Sequence, residues 1–549
     1  MNGRISISAW KTLAVLGSTI LITMYGETML LPAIPDIIRE FNISYNTSAW
    51  ILTSYLIAGA VMTPIAGKLS DIYGRKKIVV IIMIIYIVGI SIGGLSPDIT
   101  FLVFSRIIQG VGIAMFPIAF GIVRDQFPPE KLAIGVGTFS AMFAAGSVVG
   151  LAVGGTIIQS FGWRVTFFSI IPISVILWVI INKFINDAQY QTLAHIDPAK
   201  NDDKPSALDV KEYISKSTYV DSNYHSNAPR NRNNNGKTRV VTNKGIKAID
   251  IKGAIALAVT ITSFLIVLSY LETTLNDNSN IENDQIGKIG NTPGYNNAKI
   301  VVVLMSVGSI SLVIFLIIER REKSPLIDFK LIANKMILTP NMLLLISFLS
   351  MFTVYQTIPF LVRSPVSAGG FGGDPIATAN IQLPFMIMFL VFAPFSGFII
   401  SKLGRIRPTL IGSLIASIGF FGLFFFHYSP PLVAGTLAII ATGLSLIQVG
   451  AFNIVLESTP RHLTGTSLGT TVLLNLIGGA IGPAIAGIIM QMNQISVIGT
   501  SGNIGTFPSP QSYYLIFLIT ALLSLVSVTL VLIMKRNSTP QTIAGRIWK

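Results

Sequence analysis

Cysteine is absent from all 549 residues. That excludes disulfides, thiolate nucleophiles and cysteine-based metal or iron–sulfur centres. Histidine occurs four times and charged residues make up only 11% of the chain, so a metal-binding cluster has little to be built from. No paired-acid motif or phosphate-cradling loop occupies the polar connections, which argues against an enzyme, a membrane-bound lipid-modifying transferase included. No cofactor and no metal are expected.

Apolar sequence is what the chain has in quantity. Hydrophobic residues reach 51% and the mean hydropathy is +0.69. Runs of about twenty apolar residues can cross a hydrocarbon core of roughly 30 Å, and fourteen such segments are expected between residues 10 and 534. The first, at 10–33, is too long for a cleaved signal and lacks a small-residue cleavage site. The net charge of +15 follows topology and implies no nucleic-acid partner, because Lys and Arg gather in alternate loops. Arg75, Lys76, Lys77, Arg320, Arg321, Lys402, Arg405, Lys535 and Arg536 fall on one side of that alternation. A multi-pass protein of the cell membrane with both termini cytoplasmic is therefore expected, its surroundings a lipid bilayer.

The chain also repeats itself. At an offset of 330 residues Tyr25 meets Tyr355, Pro35 meets Pro365, Pro64 meets Pro394, Gly67 meets Gly397, Gly74 meets Gly404 and Arg75 meets Arg405. The first six segments read as one bundle and the last six as its copy in the same orientation. The expected division is an N-terminal six-helix bundle at 1–183 and a polar, disordered cytoplasmic linker at 184–250. An inserted transmembrane hairpin at 251–318, a connector at 319–336, a C-terminal six-helix bundle at 337–534 and a tail at 535–549 complete it.

Between the second and third segments runs GKLSDIYGRKK, residues 67–77. Gly67, Asp71, Gly74, Arg75 and Lys76 stand there at the spacing of the loop signature of the major facilitator superfamily of transporters. Six, two and six spans resemble its fourteen-helix drug:proton antiporter branch, and the resemblance covers nearly the whole chain. It implies an all-α polytopic membrane protein with the major facilitator fold, working by alternating access around a site between the bundles. It also implies that this loop is a gate which pairs with the opposite bundle in one state and releases it in the other. The reversal at Gly74 is expected to be left-handed, and Asp71 can pair with Arg75 if one helix runs through both.

Ionisable groups within spans cost about 2.5–3.5 kcal/mol each on insertion scales, and few are present. Glu27 in the first span and Arg106 in the fourth fall at similar depth and can meet. Arg106 lies in LVFSRIIQGVG, which resembles the superfamily's fourth-span motif, associated with proton transfer. Glu27 is then the proton carrier, since desolvation favours a neutral carboxyl and a nearby guanidinium a charged one. A static ion pair between the two spans is the other reading. The branch's usual acid, an Asp, would fall at Gly26.

Gly146, Gly150, Gly154 and Gly155 in the fifth span resemble the superfamily's antiporter motif, with Leu151 where its proline is expected. The copy keeps Gly478, Gly482 and Pro483. Ordinary close packing explains the same stripe. Tyr25, Tyr55, Gln109, Gln356, Gln382, Gln448 and Asn453 are candidate cavity residues, or else helix–helix hydrogen bonds. The resulting expectation is a monomer that exports small hydrophobic or amphipathic molecules in exchange for protons. A proton-coupled symporter or facilitator importing a metabolite is the alternative, and a sensor using the 184–250 linker is a third. Nothing resembles a selectivity filter, which argues against a channel.

Overall fold

The computed structural model describes residues 7–127, 131–184, 250–280, 293–322, 325, 327, 329–460, 463–498 and 504–537. The linker expected at 184–250 and the tail expected at 535–549 fall almost wholly outside these residues. The long apolar runs are helical because a backbone without water must satisfy its own hydrogen bonds.

The first bundle comprises α1 (Ile7–Thr28), a short α2 (Ile34–Phe41), α3 (Tyr45–Tyr73), α4 (Arg75–Gly94), α5 (Ile99–Gly110), α6 (Met115–Gln126), α7 (Leu132–Phe161) and α8 (Trp163–Phe184). A 3₁₀ turn at Val111–Ala114 joins α5 to α6, so the fourth span is one crossing with a break in it. Next, α9 (Ile251–Asn280) and α10 (Pro293–Arg321) pack on each other as a hairpin. The second bundle comprises α11 (Lys335–Arg363), α12 (Pro375–Leu403), α13 (Ile406–Phe425), α14 (Pro430–Ser458), α15 (Thr464–Met492) and α16 (Pro510–Asn537). One non-helical element interrupts it. Strands β1 (Gln494–Ile498) and β2 (Ile504–Pro508) pair antiparallel between α15 and α16, with Ser496 opposite Thr506.

Thirteen of the described helical stretches are long and apolar enough to cross a membrane, and α9 adds a shorter apolar stretch at Lys252–Phe264. The fold is two six-helix bundles with an inserted hairpin. Its internal repeat is visible in the backbone, since α3 and α12 both begin and end 330 residues apart. Each is followed by a glycine at positive φ, Gly74 at 91° and Gly404 at 78°.

The reversal at Gly74 differs from the expected left-handed turn. Its ψ of 139° is extended, and its N–H closes the last turn of α3 on the Ser70 carbonyl. A residue with a side chain still cannot follow that path cheaply. Because the helix stops at Tyr73 and a new one starts at Arg75, Asp71 and Arg75 do not share one helix. The expected pairing at four-residue spacing has no continuous helix to form on.

Across the molecule, α3 packs along α15 and α7 along α12, while α1 leans on α7 and α11 on α15 within the bundles. Below, the end of the bundles where α1 begins and α16 finishes is the terminal end; the opposite one is the far end.

Candidate functional site

Between the bundles lies a small cavity of about 30 Å³. Seven phenylalanines line it, Phe116, Phe120, Phe139 and Phe143 from the first bundle and Phe348, Phe352 and Phe452 from the second. Its polar lining consists of Glu27, Ser140, Gln448 and Asn475, of which Glu27 alone is charged. Glu27 stands one residue before the end of α1 and is 4% exposed. Ser140 Oγ and Asn475 Oδ1 are buried without a hydrogen-bond partner. Leaving such groups unpaired costs about 1–3 kcal/mol each, so these atoms are open to a hydrogen bond from water or another molecule in the cavity.

Arg106 is buried next to this cavity but does not line it. Its Nε donates to the Ile51 carbonyl at 3.0 Å, and its Nη1 to the Gly26 carbonyl at 2.8 Å and Gln109 Oε1 at 3.1 Å. The guanidinium also sits 4.4 Å from the Tyr55 ring centre, a cation–π contact in a desolvated site. No salt bridge joins Arg106 to Glu27 among the described residues. The two meet through the backbone, because Arg106 holds the carbonyl of the residue just before Glu27. The static ion pair is thereby replaced by a cation that braces α1 and a carboxylate that faces the cavity.

The glycine stripe explains how α1 is held so closely. A methyl group placed on Gly146 would fall 2.1 Å from the Leu21 carbonyl oxygen. On Gly150 it would fall 2.4 Å from Thr28 Oγ1, and on Gly154 2.7 Å from the Met29 carbonyl oxygen. Three successive turns of α7 thus lie close against α1 and the residue that follows it, with no side chain from α7 between. Gly155 faces the other bundle instead, 2.9 Å from Ala379 Cβ by the same construction. The copy repeats the device: Gly478 lies against Leu345 and Gly482 against Leu349 and Thr353 of α11, beside the buried Pro483.

Of the seven polar residues expected in the cavity, Gln448 lines it. The other six are engaged in packing. Tyr25 bonds Ser169 at 2.8 Å, Tyr55 donates to the Thr23 carbonyl at 3.1 Å, and Gln109 donates to Ser105 Oγ and the Gly89 carbonyl. Gln356 reaches Ser48 and Gln382 the Tyr355 carbonyl, each at 3.4 Å, and Asn453 bonds back to Val449 at 2.7 Å. Ser140, Asn475 and the phenylalanines were not anticipated. Their signal is the four-residue spacing of Phe116 and Phe120, Phe139 and Phe143, and Phe348 and Phe352, which puts each pair on one helix face.

The cavity is closed at both ends. At the terminal end Phe120 stacks on Phe452 with ring centres 4.9 Å apart, one ring from each bundle. There Gly137 also lies against Ala393 and Gly397, and Gly469 against Pro64. At the far end Arg363 of α11 makes two 2.6 Å bonds to the Asp36 carboxylate of α2 and a third to the Pro32 carbonyl. Tyr45 donates to the Thr506 carbonyl of β2 at 2.9 Å and meets Phe360 edge to face. Of the loop at 67–77, Gly67 is buried, Arg75 and Lys76 are half-buried, and the Arg75 guanidinium packs beside Gly121 of α6. The Asp71 side chain lies outside the described residues. In the copy, Arg405 forms a salt bridge with Glu457.

A family model described as Major Facilitator Superfamily matches residues 16–483. The multidrug transporter protein MdtP of Bacillus subtilis is 24% identical over 489 residues, covering 88% of this chain and 75% of that protein. The tetracenomycin C resistance and export protein of Streptomyces glaucescens is 23% identical over 484 residues, covering 88% and 76%. Among solved structures, the human organic anion transporter MFSD10 superposes with a TM-score of 0.59 at 13% identity, over 95% of this chain and 99% of that one. That is a likeness of fold alone.

Proposed function

The chain belongs to the Major Facilitator Superfamily, and from that premise we propose that this membrane transporter exports small hydrophobic or amphipathic compounds in exchange for protons. The observation that carries the proposal is the cavity itself, seven phenyl rings around one carboxylate and three polar side chains. Such a lining gives apolar area to many shapes and a few hydrogen bonds to orient them. It is poorly suited to phosphates or sugar acids, which need several cations. The relatives named for multidrug transport and for tetracenomycin C export support the direction of transport.

In this reading Glu27 is the coupling acid. Water stabilises its charged form and the closed apolar cavity does not. Opening to one side therefore releases a proton, and binding or closure favours taking one up. Arg106 fixes the position of Glu27 through the Gly26 carbonyl. The loop with Gly67, Asp71, Gly74, Arg75 and Lys76 serves as the gate at the terminal end, which the alternation of basic loops places in the cytoplasm of a cell-membrane protein.

Reconstitution in proteoliposomes with an imposed pH gradient tests the coupling. A lipophilic fluorescent dye should accumulate in the vesicle lumen when the lumen is acid, and not when it is alkaline. Accumulation under the opposite gradient would establish symport and overturn the proposal.

A further inference from the structure

Lys68 follows Gly67 in the 67–77 stretch and stands on α3 at its terminal end, half-buried, where the inserted hairpin lies against that helix. Asp250, at the start of α9, is 6% exposed, and Glu319, in the last turn of α10, is 2% exposed. Asp250 Oδ1 caps α9 by accepting the Gly253 N–H at 2.8 Å, whereas its Oδ2 is buried without a hydrogen-bond partner. A methyl group built on Gly253 would fall 2.1 Å from Asp250 Oδ2 and 3.0 Å from Glu319 Oε2. The two carboxylates are therefore neighbours at the terminal end of the hairpin, and Lys68, half-buried on the helix that α9 packs against, stands within electrostatic reach of both and of the exposed Glu322. Glu319 further accepts the Ile327 N–H, which ties the hairpin's exit to the same point.

The repeat supplies an independent observation. The position 330 residues after Lys68 is Phe398, an exposed phenylalanine on α12. No hairpin lies against α12 among the described residues. A lysine thus occurs on the bundle face that receives the hairpin's acids, and a phenylalanine on the equivalent face that does not. The hairpin also spans the seam between bundles, because α9 packs on α3 of the first and on α15 of the second. The α15 helix carries no charged residue, so among the described residues of these two helices the electrostatic hold falls on α3.

We propose that the inserted hairpin is a clamp on the terminal-end gate. Asp250 and Glu319 receive Lys68 and hold the end of α3 against a hairpin that is seated on α15. Opening at the terminal end must draw α3 away from α15, and so must break or carry this cluster. The clamp goes beyond the export proposal and depends on alternating access, not on substrate or proton coupling.

Distance measurement between spin labels tests it, and the cysteine-free chain needs no background removal. Labels at Tyr73→Cys and Leu403→Cys, exposed ends of α3 and α12, report terminal-end separation in nanodiscs without substrate. Lys68→Met should raise the long-to-short population ratio roughly fivefold, the low end of coupling between sites. Asp250→Asn, which keeps the side-chain shape, should do the same, and the double variant no more than either. Lys68→Arg should leave the distribution near that of the parent, as should Lys252→Met on the exposed face of α9. Unchanged distributions in both single variants, or effects that add in the double, would overturn the clamp.

Discussion

Glu27 and Arg106 are both charged residues in apolar helices, yet they are held in different ways. Arg106 donates three hydrogen bonds and stacks on Tyr55, while Glu27 faces the cavity. A lysine keeps the cation but cannot reach the same acceptors with one nitrogen. Arg106→Lys should therefore cost roughly 1.5–3 kcal/mol for each charged hydrogen bond lost, seen as a lower thermal-unfolding midpoint in detergent. Glu27→Gln should leave that midpoint unchanged. An equal loss in both variants would argue that Glu27 is structural. These two residues were legible in the sequence because a charge in an apolar run costs free energy. The phenylalanines of the cavity were not, because a phenyl ring facing a ligand and one in a packed core look alike. The amides misled for a related reason. Gln109 and Asn453 found partners on neighbouring turns and helices, and Gln356 and Gln382 did so through their amide nitrogens, whereas Asn475 Oδ1, like the Oε1 atoms of Gln356 and Gln382, was left without one.

At the scale of elements, α7 positions α1 through bare backbone. Gly150→Leu would drive a side chain into Thr28 and Tyr25, on the element that bears Glu27. Overpacking of this kind costs about 1–3 kcal/mol, and transport should fall further than stability because Glu27 moves with α1. Gly435→Ala in α14, where a methyl group meets nothing within 4 Å, is the matched control. It should be neutral or stabilising by up to about 1 kcal/mol, both effects read from thermal unfolding and dye efflux. Helices of this length were readable from hydropathy, and the stripe from its four-residue spacing. The break at Val111–Ala114 was not anticipated, although Pro117 in the first turn of α6 lacks the N–H that would bond the Ile113 carbonyl and so disfavours an unbroken α-helix there; the close seat of Gly110 on the Tyr55 carbonyl is tertiary. The short hairpin at Gln494–Pro508 was missed as well, its alternation lasting only five residues a strand.

For the whole molecule, closure at both ends of the cavity is a balance that single contacts tip. The repeat made the two bundles legible, but the contacts between them were not, because the pairing of Asp36 with Arg363 joins residues 327 apart in the chain. Asp36→Asn removes a two-pronged, partly exposed ion pair at the far end, and such pairs favour closure by about 1 kcal/mol. Labels at Phe161→Cys and Val366→Cys should then show a larger far-end separation; an unchanged distance would mean that packing alone closes that end. Proton coupling through Glu27 remains the central claim, and counterflow in proteoliposomes tests it most directly. Exchange of labelled for unlabelled substrate needs no proton movement, whereas uphill uptake driven by a pH gradient does. Glu27→Gln should retain exchange and lose gradient-driven accumulation. Full accumulation by Glu27→Gln would contradict the account.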